Sequence, residues 1–165
     1  PEYSNHLLQQ YKLYVEMMDN VSERRAKANT FFLAINSALI AIMGILTKIS
    51  SQSYVNCGWI VISAIFGILL CRRWRDIIQA YSDLNSGKFV IIHLLEERLP
   101  AKLFKAEWDY LEPIEGKKKY KPLTITESKV PTLFTYLYVI LSVIGLLSFF
   151  STAEIWSSII NLLPK

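Results

Sequence analysis

The sequence predicts an all-α, multi-pass integral membrane protein of about three transmembrane helices, and three observations support that class. Three runs carry no charged residue: Thr30–Thr47, Tyr54–Cys71 and Thr132–Ser151. Each has the roughly 18 to 20 residues that, at about 1.5 Å per residue, cross a hydrocarbon core about 30 Å thick. They are apolar on every side, whereas a soluble chain of 165 residues has too little interior to hide three such helices. The first run follows a charged segment, which does not fit a cleaved signal peptide. Lys and Arg residues flank the runs unevenly. Arg24, Arg25 and Lys27 precede the first, and Arg72, Arg73 and Arg75 follow the second, while the loop from Lys48 to Ser53 holds one Lys. Both ends of this hairpin are therefore expected inside the cell. Lys117, Lys118, Lys119, Lys121 and Lys129 precede the third run, and only Glu154 and Lys165 are charged beyond it. The middle stretch is thus expected in the cytoplasm and the C-terminus outside. The net charge of +4 reflects this asymmetry more than a nucleic-acid partner.

Residues 1–71 are expected to form an amphipathic cytoplasmic helix that continues into a transmembrane hairpin. No Pro or Gly interrupts Glu2 to Met43, and Leu7, Leu8, Tyr11, Tyr14, Val15, Met18 and Val21 draw a helical stripe. Such a rod, of about forty-five residues and nearly 70 Å, cannot stabilise its wet half alone. Its stripe needs a cover, either the cytoplasmic segment or a neighbouring subunit.

Residues 72–131 should supply that cytoplasmic helical layer. Trp74, Ile77, Ile78, Tyr81, Leu84, Ile91, Ile92, Leu95 and Leu99 continue helical spacing to Pro100, with Asn85-Ser86-Gly87 as a candidate bend. A shorter helix is expected over Lys102–Leu111, carrying Leu103, Phe104, Trp108 and Leu111, and a loop over Glu115–Pro122. Thr124 and Glu127 have capping-box spacing, and Pro131 precedes the third span. Residues 132–165 hold that span and a tail whose Ile155, Trp156, Ile159 and Ile160 either lie along the outer interface or prolong the helix.

Catalytic chemistry finds little support. Cys57 and Cys71 fall in one predicted helix about 21 Å apart, so no intrachain disulfide is expected. His6 and His93 are the only histidines, which leaves no zinc cluster, and no Gly-rich phosphate loop or nucleophile motif is present. His93 and Glu97 lie one helical turn apart without a third ligand, which favours a structural histidine. The chain is read as a non-enzyme without a cofactor.

Two blocks of residues resemble a known family. Tyr11-Lys12-Leu13-Tyr14-Val15-Glu16-Met17, followed by Val21-Ser22-Glu23-Arg24-Arg25-Ala26-Lys27-Ala28-Asn29-Thr30-Phe31-Phe32-Leu33, is similar to the start of the RipA-type octameric membrane proteins. The second block is Leu84-Asn85-Ser86-Gly87-Lys88-Phe89, His93, Glu96-Glu97-Arg98-Leu99-Pro100, Ala106-Glu107-Trp108 and Tyr120-Lys121-Pro122-Leu123-Thr124. Within the family the chain looks most like the small membrane accessory proteins of type VI-B CRISPR loci. The resemblance implies a ring-forming homo-octamer in the bacterial inner membrane, a pore that depolarises infected cells, and functional coupling to an RNA-guided RNA-cleaving effector. The Arg-x(4 to 6)-His nuclease motif once proposed for such proteins is absent, since the nearest Arg before His93 is Arg75.

Arg25, Asn29, Asn36 and Met43 recur along one face of the first helix. An intramembrane Asn is costly unless it faces water or a partner helix, so Asn36 is the best candidate for a pore-lining or interface position, with Arg25 at the cytoplasmic mouth. The bland reading makes Asn36 a hydrogen-bonding partner of a neighbouring helix and Arg25 a positive-inside flank. Small residues Ser37, Ala41 and Gly44, and Ser63 with Gly67, are candidates for close helix packing, either between subunits or within the hairpin. Lys117, Lys118, Lys119 and Lys121 suit anionic lipid or a topology signal better than RNA phosphate.

Overall fold

The computed structural model describes the backbone of residues 2–49, 53–111 and 123–162, and the side chains of 2–48, 55–111 and 123–151. Its elements are α1 (Glu2–Ile49), α2 (Ser53–Glu96), α3 (Leu103–Leu111), α4 (Leu123–Glu127) and α5 (Lys129–Leu162). The first two are rods of 48 and 44 residues. α2 runs unbroken through Asn85-Ser86-Gly87, where the sequence allowed a bend. Gly87 weakens a helix by about 1 kcal/mol, but buried Lys88 and Ile92 anchor the turns beyond it. The helix stops at Glu96, where Arg98 and Leu99 turn back to the carbonyls of Leu95 and Glu96 and Pro100 forbids continuation. α5 continues to Leu162, so the tail prolongs the third helix.

The chain divides into two compact units, Pro1–Asn29 with Asp76–Ser128 and Thr30–Arg75 with Lys129–Lys165. In the first unit the stripe expected on α1 is turned inward at Leu7, Met18 and Val21, with Ile78 and Ile92 of α2 also buried. Each such burial contributes at most roughly 1.5 to 3 kcal/mol. Leu8, Leu84 and Ile91, placed on the same stripes by spacing, are exposed.

The second unit packs three helices around Met43, Ala64, Cys71 and Tyr138, with Leu39, Ile60, Phe134 and Leu141 against them. Gly67 is what lets α5 sit close to α2, because a Cβ there would overlap the Tyr138 ring. Gly145 does the same from the other side, where a Cβ would meet Val61 at 2.9 Å. Among the described residues three helices are long and apolar enough to cross a membrane, and less than a quarter of each apolar window is buried. Phe31, Ile42, Trp59, Ile62, Leu133, Leu147 and Phe150 all point outward. Apolar surface on that scale is stable against lipid or other protein, not water.

Candidate functional site

In the second unit the first-span asparagine is the centre of a polar node. Asn36 is fully buried. Its Nδ2 donates to the Phe32 carbonyl at 2.8 Å, while its Oδ1 accepts from the Tyr138 hydroxyl at 3.1 Å and from the Cys71 thiol at 3.5 Å. The Tyr138 hydroxyl also lies 3.3 Å from the Asn36 carbonyl. A polar amide placed in an apolar interior must find partners, and residues of α2 and α5 supply them within one chain. Phe32 and Trp74 stack beside the node with ring centroids 5.9 Å apart. Met43, two turns along the same face, is buried too. Within the chain this face is interior, so Asn36 acts as a helix-packing position rather than fronting open space.

The small residues separate into two groups. Gly67 is buried in the contact with Tyr138 and Ser63 is half-buried. Ser37, Ala41 and Gly44 are exposed, and a Cβ on Gly44 would meet nothing.

In the first unit Arg25 is tied down by Glu127 and Thr124. Its Nε donates to Glu127 Oε2 at 2.7 Å, its Nη2 pairs with the same oxygen at 2.6 Å, and Nη2 also donates to Thr124 Oγ1 at 3.0 Å. Thr124 Oγ1 further shares a 2.9 Å hydrogen bond with Ser82. The two side chains spaced like a capping box thus serve Arg25, because α4 is only five residues long and lies against α1. Asn29 is half-buried. Lys117, Lys118, Lys119 and Lys121 lie outside the described residues.

Sequence reasoning missed Glu96. Its carboxylate is fully buried, accepts the Tyr11 hydroxyl at 3.1 Å and receives the backbone N–H groups of Phe104 and Lys105 at 2.8 and 3.1 Å. An anion from α2 therefore caps the N-terminus of α3, satisfying donors that helix geometry leaves unpaired and complementing the helix dipole. Burial, then the neighbouring Glu96, hold the Tyr11 phenol above its usual pKa. The only available signal was a glutamate six residues before a short helix. Lys88, also missed, is buried with its amine 5.2 Å from the Tyr14 ring centre. His93 Nε2 is buried with no hydrogen-bond partner among the described residues, and its ring lies against Phe89. No cluster of three metal-ligating side chains occurs among the described residues.

Long apolar helices that keep most of their surface outward, packed around one neutral polar node, define a helical integral membrane protein. The family model described as "Octameric membrane protein family (8xMP)" matches residues 8–147. The chain belongs to this family, whose description makes it an oligomeric membrane protein. No curated protein and no solved structure matches the chain.

Proposed function

We propose that the protein is a subunit of an inner-membrane ring that acts as a pore, depolarises the membrane and thereby strengthens RNA-targeting type VI-B CRISPR defence. The N-terminus and middle segment lie in the cytoplasm, where the arginine and lysine flanks belong. No covalent chemistry is involved.

One observation carries the reading. On a face of α1 beside the packed one, the residues Thr30, Ala34, Ser37, Ala41, Gly44 and Lys48 form an exposed stripe with no bulky apolar side chain. A lipid-facing stripe has no need to be small or hydroxylated, and the exposed positions Phe31, Ile42 and Ile45 carry bulky apolar side chains instead. Small, polar residues suit close approach of a second helix or contact with water. The stripe of the first span, rather than Asn36, is the surface offered to neighbours and to a lumen.

Purified protein reconstituted in liposomes should pass ions, and the double substitution of Ser37→Leu and Ala41→Leu should abolish conduction while membrane insertion persists. In cells, depolarisation should require an active RNA-guided effector. A ring that forms but passes neither ions nor small dyes, with or without the effector, would sink the pore and leave a membrane scaffold that recruits a cytoplasmic partner. A third reading, RNA binding through Lys117 to Lys121, predicts salt-dependent RNA retention that is lost when those lysines are neutralised.

A further inference from the structure

Beyond its charge-free run, α2 carries a second apolar face. Leu84, Gly87, Ile91 and Leu94 recur at steps of three and four, with Val90 beside them, which is the spacing of a helix-packing seam. Leu84, Val90 and Leu94 are 50%, 61% and 58% exposed, and Ile91 is exposed as well. They lie across the helix from Ile78, Ile92 and Glu96, which are buried. Gly87 sits at the centre of the face, and a Cβ there would meet nothing within the chain. Glycine in a helix interior costs about 1 kcal/mol relative to alanine, and no contact inside the chain asks for it here; close approach of a backbone from outside does. An apolar face of this extent needs a cover. Lipid is a poor one, because Asp76, Asp83, Lys88 and Glu97 interrupt the same segment and charges are costly in hydrocarbon. Residues 112–122 hold only Ile114 and Tyr120 as large apolar side chains in their sequence.

A second copy of the chain fits the face. The family is described as octameric. Copies inserted the same way in one membrane are related by an axis along its normal, and more than two such copies in a closed assembly meet through two different faces. Rotation about the normal leaves every residue at its depth, so the complementary face must stand level with Leu84–Leu94. Contacts within the first unit set that level. The Lys88 amine lies over the Tyr14 ring, the Tyr11 hydroxyl donates to Glu96, and Arg25 reaches Ser82 through Thr124. α1 thus runs antiparallel to α2 with Leu13 and Met17 level with the turns around Val90. Both are exposed, and with Arg24 they share one face of α1. Arg24 comes level with Asp83, also exposed and of opposite charge. We propose that Leu84, Gly87, Val90, Ile91 and Leu94 of one copy pack against Leu13 and Met17 of the next, with Asp83 facing Arg24. The contact rests on the reading of the protein as a ring subunit and requires no conduction.

Cross-linking of the full-length protein in its membrane tests it. Copies carrying Leu13→Cys and copies carrying Ile91→Cys, differently tagged, are co-expressed and treated with a short bis-maleimide. The native Cys57 and Cys71 are buried, and wild-type protein sets the background. A linked product holding one copy of each tag is expected at least tenfold above background, and both cysteines in one chain should extend it to a ladder beyond the dimer. Adding Leu94→Glu should cut the yield at least tenfold. Product joining two Ile91→Cys copies with equal yield means that the face meets itself, which overturns the pairing with α1. Absence of mixed product overturns the interface and assigns the face to another occupant, and a yield undiminished by Leu94→Glu overturns it too. No arm reads ion flux, so a linked ring that conducts nothing leaves this contact standing, and a conducting protein without the linked product removes this contact alone.

Discussion

The two units face the same difficulty, polar groups inside packed helices, and resolve it with different chemistry. In the second unit the buried group is a neutral amide, Asn36, met by a hydroxyl, a thiol and a backbone carbonyl. In the first unit the groups are charged: Arg25 on Glu127, with side chains only 12% and 22% exposed, and Glu96 on the N-terminus of α3. Dehydrating an ion is far costlier than dehydrating an amide, and hydrocarbon offers no water to soften that cost. Both charged networks lie in the first unit, outside the three apolar runs. The contrast teaches that an asparagine in a membrane span and an arginine at its end, on one helix face, can each be structural for different reasons.

The largest effect should come from steric insult to the second unit. Gly67→Val places branched carbons where the Tyr138 ring lies, and should cost about 3 kcal/mol or more, read as lost folded oligomer in detergent titrations. If Gly67→Val kept wild-type stability, the close contact between α2 and α5 would be wrong.

Glu96→Ala should cost about 2 to 3 kcal/mol by leaving the Tyr11 hydroxyl and two backbone donors without their acceptor. Hydrogen exchange should localise the loosening to α3 and the start of α1. A change spread evenly over both units would blur the comparison drawn above.

Asn36→Leu should cost about 1 to 2 kcal/mol, the range of interhelical polar contacts in membranes, and should leave ion flux intact in whatever protein assembles. Lost conduction with unchanged stability would return Asn36 to a lumen.

Tyr11→Phe is the mildest, about 1 kcal/mol for one hydrogen bond. Because the Tyr11 pKa is raised in the folded state, first by burial and then by Glu96, the neutral phenol is the form the fold favours. Its contribution is fully present below the unfolded phenol value near 10 and is lost as pH rises through the higher folded value. Thermal melts of the wild type and Tyr11→Phe should therefore converge at strongly alkaline pH, and parallel curves would argue against the Tyr11–Glu96 contact.

Much of the fold could be read from local pattern. The absence of Pro and Gly in α1 announced an uninterrupted rod, and Pro100 set the end of α2 to within a few residues. The recurrence of Arg25, Asn29, Asn36 and Met43 defined a real face of α1, since helical periodicity specifies which residues lie together. What that face looks at was not legible, because periodicity is the same whether the neighbour is water, lipid or another helix. Ser37, Ala41 and Gly44 were read as packing residues between subunits or within the hairpin, and within the chain they lie on the exposed side, while Gly145, which was not singled out, sits in a close helix contact. Glu96 was invisible for a related reason: a glutamate near the end of one helix carries no mark that it will cap the next.

By itself the sequence determined that the chain is helical, that three of its segments suit a bilayer and that α1 has two unlike faces, because charge, hydropathy and periodicity are properties of neighbouring residues. Tertiary structure alone decided that Asn36 meets Tyr138 and Cys71, that Arg25 meets Glu127, and that Glu96 meets Tyr11. Each of these joins residues far apart in the chain, and a partner at that separation is chosen by the shape and polarity of packed helices, which no local window contains.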